Sequence, residues 1–432
     1  MRIALLHGYR LAGSGSNEYT RYLARELARQ GHEVHVLCRE PNPEEIDFAD
    51  GAFAWDPGAP PATLFTRNQT HPGSCTLHRL PHGELVPVYV TDKQRRGQVR
   101  PFTALTDEEL ARYRARYTGL VRAVLEQHPV DVVHANHVVL QPTVALDACE
   151  PLGIPVVVYP HGSAIEYTVR ADPRYHRLAQ EAIRRARGLI TGSNEVRDRL
   201  CDLFPEHAAD IATKTRIVGV GVDTSLFTPV PRSGRAASIG ELIALSPRGG
   251  KTPALLDDLH RRLAAGDTAA VAAYQDAYHR ALPDEDCVEN LGRIQWQESR
   301  VALFVGALTV GKGLQRLITA WPAVLQRVPG AHLVIVGSGA YREALEALVF
   351  AIAHGNGRLL DDLTGHGYDL VSSHLSGAWP AVQLHLQDED SRGIVLSAGP
   401  AFASHVHFLG RLSHPLLKHL FPCADLAVFP SV

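Results

Sequence analysis

Short runs of uninterrupted apolar residues, each followed by a helical pattern, recur from the first residues of this 432-residue chain. Candidate strands are "RIALLHG" (2–8), "EVHVLC" (33–38), "VDVVHA" (130–135), "PVVVYP" (155–160), "GLITGS" (188–193) and "RIVGVG" (216–221). Continuous apolarity, rather than alternation, requires that both faces of the sheet be covered, and parallel strands joined by crossover helices meet that requirement. Between the first two strands the spacing predicts a helix over about 17–30. Tyr19, Tyr22, Leu23 and Leu27 share its face, Ser16 is placed to cap its start and Gly31 to close its end.

Residues 40–105 are rich in Pro, Gly and isolated aromatics and read as an irregular excursion, with a hairpin between "CTLHRLPHG" and "PVYVT". After "GVDTSLFTPVPRSG" (221–234) a second α/β series begins. Its strands are "VALFVGA" (301–307), "AHLVIVGSG" (331–339), "VHFLGRL" (406–412) and "ADLAVFPSV" (424–432). The fold class is therefore α/β, with one domain over 1–230 and a second over 231–432 that carries helical inserts near 235–297 and 341–404. Ending on an apolar strand with no covering helix leaves the second domain incomplete by the layer argument.

Composition narrows the function. A formal charge of −3 provides no basic field for nucleic acid. Six dispersed cysteines without a C-x-x-C pair fit a reducing cytoplasm better than a disulfide framework or zinc site. The N-terminal apolar run is too short for a signal peptide, and no stretch approaches the roughly 18 residues of a spanning helix. Peripheral membrane contact stays open, and "IRRARG" (183–188) reads chiefly as a solvated basic helix face. No metal is expected: H-E-x-x-H is absent, and the closest histidine pair, His134 and His137 of "HANH", reads as loop histidines after a strand.

Three strand-to-helix turns can carry chemistry. In "LAGSGSNEYTRYLA" (11–24), Gly13, Gly15 and Ser16 let backbone approach an anion or polar sugar at a helix start, which is also what a flexible turn needs. A dinucleotide fingerprint fails there, because Glu18 stands where its third glycine belongs. In "GALTVGKG" (306–313) and "VGSG" (336–339), Gly306, Gly311, Gly313, Gly337 and Gly339 sit at the ends of adjacent candidate strands. Lys312 lies at the helix entrance, where a cation faces the positive end of the dipole unless an anion is bound or water solvates it. A P-loop would need Ser or Thr where Gly313 stands, which disfavours Mg²⁺-dependent nucleotide hydrolysis. In "VVVYPHGSAIEY" (156–167), His161 at a strand tip can donate to a hydroxyl or phosphate, or simply cap the turn.

The ordered set "GSGSNEYTRYLARELARQGHEVHVL", "VDVVHANH", "VVVYPHG", "KTRIVGVGVDTSLFTP", "LFVGALTVGKGLQRLITA", "AHLVIVGSG", "VHFLGRLSH" and "CADLAVFPS" resembles the landmarks of family 4 glycosyltransferases. The resemblance implies a GT-B architecture: two doubly wound Rossmann-like domains facing a cleft, acceptor mostly on the first and nucleotide-sugar donor on the second. It implies a retaining, metal-independent transfer that uses no cofactor beyond the nucleotide-sugar co-substrate. The acceptor would be a sugar, a lipid-linked sugar or a small molecule. The family's diphosphate motif G-R-x-x-x-x-K-G maps onto Gly306, Ala307, Lys312 and Gly313, so the lysine carries over and the arginine does not. Arg316 and Arg411 are candidate replacements. The family's paired glutamates would follow "FPS" and are absent from a chain ending at Val432, so on this resemblance the chain is a fragment or a truncated product, and little transferase activity is expected of it alone.

On this resemblance Lys312 would stabilise the leaving phosphate, His161 would orient the donor sugar or phosphate, and the donor-side lining would comprise Gly15, Ser16, Gly306, Gly311, Gly313, Gly337 and Gly339. Two rivals share the fold: a binding protein or pseudoenzyme, which Ala307 favours, and a sugar-nucleotide epimerase. Nothing in the residues selects a base, a sugar, an acceptor or an oligomeric state.

Overall fold

The computed structural model describes residues 1–81, 86–89, 99–274, 277–367, 369 and 377–431. The chain forms two compact units, and the change from one to the other falls between Gly221 and Val222.

The first unit is built on one sheet. Its strands are β1 (Arg2–Leu6), β2 (Glu33–Cys38), β3 (Gly51–Ala54), β4 (Ala62–Thr66) and β5 (Ser74–Arg79). After the small parallel pair β6 (Val86–Val88) and β7 (Val99–Pro101) come β8 (Val132–Asn136), β9 (Val156–Tyr159), β10 (Gly188–Thr191) and β11 (Thr215–Ile217). The order across the sheet is β11-β10-β9-β8-β1-β2-β5-β3-β4. Every neighbour is parallel except β4, which runs antiparallel to β3 with a register shift between Ala52 and Phe53.

Apolar continuity is used as the sequence suggests. Along β1, Leu5 joins one buried cluster with Val34 and Val36, whereas Ala4 and Leu6 join the opposite one with Leu37 and Val133. Both faces are therefore packed, and the α/β expectation holds.

Residues 40–105 depart from their expected irregularity. They supply three strands of the main sheet, because "SCTLHR" pairs in parallel between β2 and β3. The expected hairpin does not form: β5 belongs to the large sheet and β6 pairs with β7, while the expected turn at 82–85 lies outside the described residues. The last expected strand is also shorter, closing at Ile217.

The second unit carries four parallel strands: β12 (Arg300–Val305), β13 (Ala331–Val336), β14 (Val406–Phe408) and β15 (Leu426–Ala427), in the order β14-β13-β12-β15. Alternation again divides the strands between two clusters: Phe304 and Ile335 pack on one face, Leu303 and Val334 on the other. Helices Arg235–Leu245, Pro253–Ala264 and Cys287–Gly292 precede this sheet, and Arg342–Ala353, Gly357–His366, Pro380–Gln387 and Glu389–Leu396 lie between β13 and β14. A buried charge network ties the first set to the second. Lys251 Nζ lies 3.3 Å from Glu343 Oε1 and also bonds Glu346, while Arg342 donates to Glu346 Oε1 and Asp284 Oδ2, both at 2.7 Å.

Candidate functional site

In the first unit, polar and aromatic side chains converge at the C-terminal ends of β1, β8 and β9, the edge where parallel sheets bind ligands. His7 follows β1, His134 and Asn136 end β8, His137 follows, and Tyr159 and His161 close β9. Ring centroids of His137 lie 4.7 Å from His161, 5.6 Å from Tyr9 and 4.4 Å from Tyr89. Tyr19 stacks on Tyr159 at 4.4 Å and meets His161 edge-on at 5.7 Å.

The hydrogen bonds fix tautomers. Asn17 Nδ2 donates to the Ala12 carbonyl at 2.7 Å, which turns its Oδ1 toward His7 Nε2 at 2.9 Å. His7 therefore carries a proton on Nε2. Likewise Asn136 Oδ1 accepts from His161 Nε2 at 3.0 Å, leaving the lone pair on His161 Nδ1. The expectation that His161 donates to a ligand is thus revised: its N–H is taken by Asn136, and what it offers is an acceptor. Burial, reinforced by His7 and His134, pushes the His161 pKa down to about 3, so the ring is neutral at neutral pH.

The glycine loop before the first helix is also tighter than expected. Ser14, not Ser16, caps the helix Gly15–Arg29, and Ser16 sits in its first turn with its hydroxyl 3.2 Å from that of Ser14. Gly13, at φ +106°, gives its N–H to Glu18 Oε1 at 3.4 Å. His137, expected to be an ordinary loop histidine, takes φ +69°, which side chains rarely adopt, and both its ring nitrogens are buried without partners. Its position in "HANH", directly after a strand, was the available signal.

A second histidine group, His35, His78 and His128, brings its ring nitrogens within 4.8 Å of one another. Hydrogen bonds account for the first two without an ion. Trp55 Nε1–H donates to His78 Nδ1 at 3.1 Å, so the His78 proton lies on Nε2 and faces His35 Nδ1 at 3.0 Å. His35 Nε2–H then reaches Glu33 at 3.0 Å.

In the second unit, β12 runs into Gly306 and a single 3₁₀ turn, Val310–Lys312, before the helix Leu314–Arg327. Gly313, at φ +71°, stands at the helix start in a left-handed conformation, and its Cβ position would lie 1.9 Å from the Pro430 carbonyl. Lys312 is exposed and joins no ion pair among the described residues. Arg316 and Arg411 are likewise without carboxylate partners there.

The other glycines have a structural cause. A Cβ on Gly337 would fall 1.8 Å from the Gly306 carbonyl oxygen, and one on Gly339 would fall 2.3 Å from that of Leu308. The two turns interlock through Leu308 N–H to the Ser338 carbonyl at 2.9 Å and Tyr341 N–H to the Leu308 carbonyl at 3.1 Å. Gly337 and Gly339 thus let two backbones cross, whereas a Cβ on Gly306 would meet only the Phe304 ring at 3.1 Å, and Gly311 lies on the lysine turn itself.

Buried histidines make the fold less stable in acid. Burial holds His7 and His134 at about 4, His161 and His407 at about 3, and His332 at about 4. Each is released to about 6.5 on unfolding, so the unfolded chain binds more protons below that pH. Their stabilising contribution is complete above pH 6.5 and declines as pH falls toward 4, each group adding a slope of about 1.4 kcal/mol per pH unit. The melting temperature of the first unit is expected to drop by about 10 °C between pH 6.5 and 5. A flat thermal profile over that range contradicts the assigned neutral histidines.

Within the basic run at 183–188, Arg184 and Arg187 are exposed, as expected of a solvated face, but Arg185 is held by carboxylates. Arg185 pairs with Asp147 at 2.9 Å, with Glu181 at 2.6 Å and with Glu150 at 2.7 Å. Among the described residues no helix is long and apolar enough to cross a membrane.

Comparison with known proteins gives two family matches, one in each unit. Residues 13–226 match the model of Glycosyltransferase Family 4, and residues 299–378 match that of Glycosyl transferases group 1. An uncharacterized glycosyltransferase of Methanocaldococcus jannaschii is 46% identical over 55 residues, 13% of this chain and 14% of the relative's own length. Among solved structures, HepE of Anabaena in complex with UDP and glucose is 14% identical with a TM-score of 0.48. The likeness covers 100% of this chain and 74% of that one. A trehalose-6-phosphate protein of E. coli bound with UDP-2-fluoro glucose is 12% identical with a TM-score of 0.47, over 99% of this chain and 77% of that one.

Proposed function

We propose that this chain, whose two units each match a glycosyltransferase family model, transfers a sugar from a nucleotide-sugar donor to an acceptor with retention, without a metal. The reading is supported most by Lys312. An exposed cation without a carboxylate partner, on a turn held by Gly313 ahead of a 14-residue helix, suits a diphosphate. As the nucleoside diphosphate departs, negative charge grows on its phosphate oxygens, and a preorganised ammonium with the first helix N–H groups stabilises it.

The leaving phosphate then helps accept the acceptor's proton in a front-face attack. Gly306, Gly311, Gly313, Gly337 and Gly339 keep the backbone close to the diphosphate, and Arg316 or Arg411 takes the place of the arginine that Ala307 replaces. Neutral His161, with its lone pair on Nδ1, accepts from a sugar hydroxyl and orients it, and Gly15 and Ser16 line the same sugar. Transfer is assigned to the cytoplasm, in keeping with six unpaired cysteines.

Titration calorimetry with UDP, GDP and ADP tests the donor site, followed by turnover of the matching labelled sugar nucleotide. One nucleotide is expected to bind with micromolar affinity, and binding by none of them defeats the proposal. Ala307 favours a binding-only role; nucleotide binding without transfer or hydrolysis identifies that case, and an epimerised labelled sugar identifies an epimerase.

A further inference from the structure

Arg39 follows β2 at the same C-terminal edge of the first sheet and is 2% exposed. Its guanidinium lies 4.6 Å from the Tyr117 ring centre and 5.8 Å from that of Tyr113, and Nη2 donates to the Tyr113 hydroxyl at 3.1 Å. Nε and Nη1 are buried without an acceptor, which leaves three N–H bonds unused. No carboxylate pairs with it among the described residues. The buried cations of the second unit differ: Lys251 has Glu343 and Glu346, and Arg342 has Asp284 and Glu346. Lys251 and Arg342 thus have the carboxylates that burial calls for, and Arg280 at least approaches Glu343 at 4.0 Å, whereas Arg39 has none among the described residues.

The aromatic faces do not make up the difference. A desolvated cation–π contact contributes about 2 kcal/mol, whereas taking a cation out of water costs several kcal/mol. The surroundings add donors rather than acceptors. Gln141 Nε2 donates to the same Tyr113 hydroxyl at 3.3 Å, and Arg39's own N–H is spent on the Tyr9 carbonyl at 2.8 Å. Tyr9 in turn touches His137, whose ring nitrogens are also unpartnered.

We propose that Arg39, with Tyr113 and Gln141, binds an anionic group, a phosphate monoester or a carboxylate, carried by the acceptor. A guanidinium suits both, since its N–H groups match the oxygens of either anion. Assigning that anion to the acceptor rests on the glycosyl-transfer reading; the anion site does not.

Titration calorimetry on the full chain tests it with glucose 6-phosphate, glucuronate, neutral glucose and inorganic phosphate. At least one charged sugar is expected to bind about tenfold or more tighter than glucose, to compete with inorganic phosphate and to lose about tenfold or more in Arg39→Gln. The tighter of the two charged sugars identifies the anion. UDP binding should be unchanged in the variant, which also shows that it is folded. Equal binding of charged and neutral sugars, or equal binding by wild type and Arg39→Gln, overturns the site. If UDP displaces the charged probe, the anion belongs to the donor and the acceptor assignment falls. Should Arg39→Gln not fold, the wild-type Arg39 Nε–H resonance provides the reading. It should shift on saturation with inorganic phosphate, and an unmoved resonance overturns the site.

Discussion

Lys312→Ala is expected to lower kcat/KM for the sugar-nucleotide donor by about 10²-fold or more, comparable to the loss of one oxyanion donor. The loss should fall largely on kcat, because charge on the leaving phosphate is greatest in the transition state. Stability should hardly change, since the side chain is exposed and no ion pair is broken. Lys312→Arg keeps the charge but replaces a compact ammonium with a planar fork, and should recover only part of the rate. Steady-state kinetics on the three proteins decide the matter, and an unchanged kcat/KM for Lys312→Ala removes the lysine from the mechanism.

A second large effect concerns stability. Lys251→Met should cost about 3–5 kcal/mol, because deleting one member of a buried charge network strands the charges that faced it. Lys251 is 2% exposed and Glu343 wholly buried. After the substitution Glu343 keeps the Tyr278 hydroxyl at 2.9 Å, and its nearest cation is Arg280 at 4.0 Å. The contact joins the segment before β12 to the helix Arg342–Ala353, so its loss should loosen both together. Urea unfolding measures the change, and a midpoint within error of wild type shows that the network contributes little. Adding Glu343→Leu should recover part of the loss, since an apolar replacement removes the stranded charge, whereas Glu346 keeps its bond to Arg342 at 2.7 Å.

The parts of this protein readable from sequence are those encoded locally. β2 begins and ends where its apolar run does, and β12 and β13 follow theirs closely. Lys312 and His161 were legible because each stands at a strand-to-helix turn. The strands within 40–105 were not, since "GAFA", "ATLFT" and "SCTLHR" are short and separated by Pro- and Gly-containing segments, and only their partners in the sheet make them strands. Asn136 and Arg39, and the burial of His137, escaped for a related reason. Their significance lies in contacts such as Asn136 with His161, 25 residues apart, and Arg39 with Tyr113, 74 residues apart, which no local pattern reveals. The glycines show the converse: their spacing suggested ligand contact, yet Gly337 and Gly339 are also demanded by the crossing of two backbones.

The reversal of β4 bears on how the molecule keeps to itself. A parallel sheet ending in a long, flat strand would present a row of free peptide groups to any other chain. Here the last strand is five residues long, is entered through Pro60 and Pro61, and pairs with β3 across a register shift. Arg67 fastens its far end, giving Nε–H to the Ala49 carbonyl at 2.7 Å and lying over the Phe65 ring at 4.6 Å. The same excursion therefore supplies a terminator, a short, kinked and anchored border that is a poorer template for edge-to-edge pairing than a long flat strand.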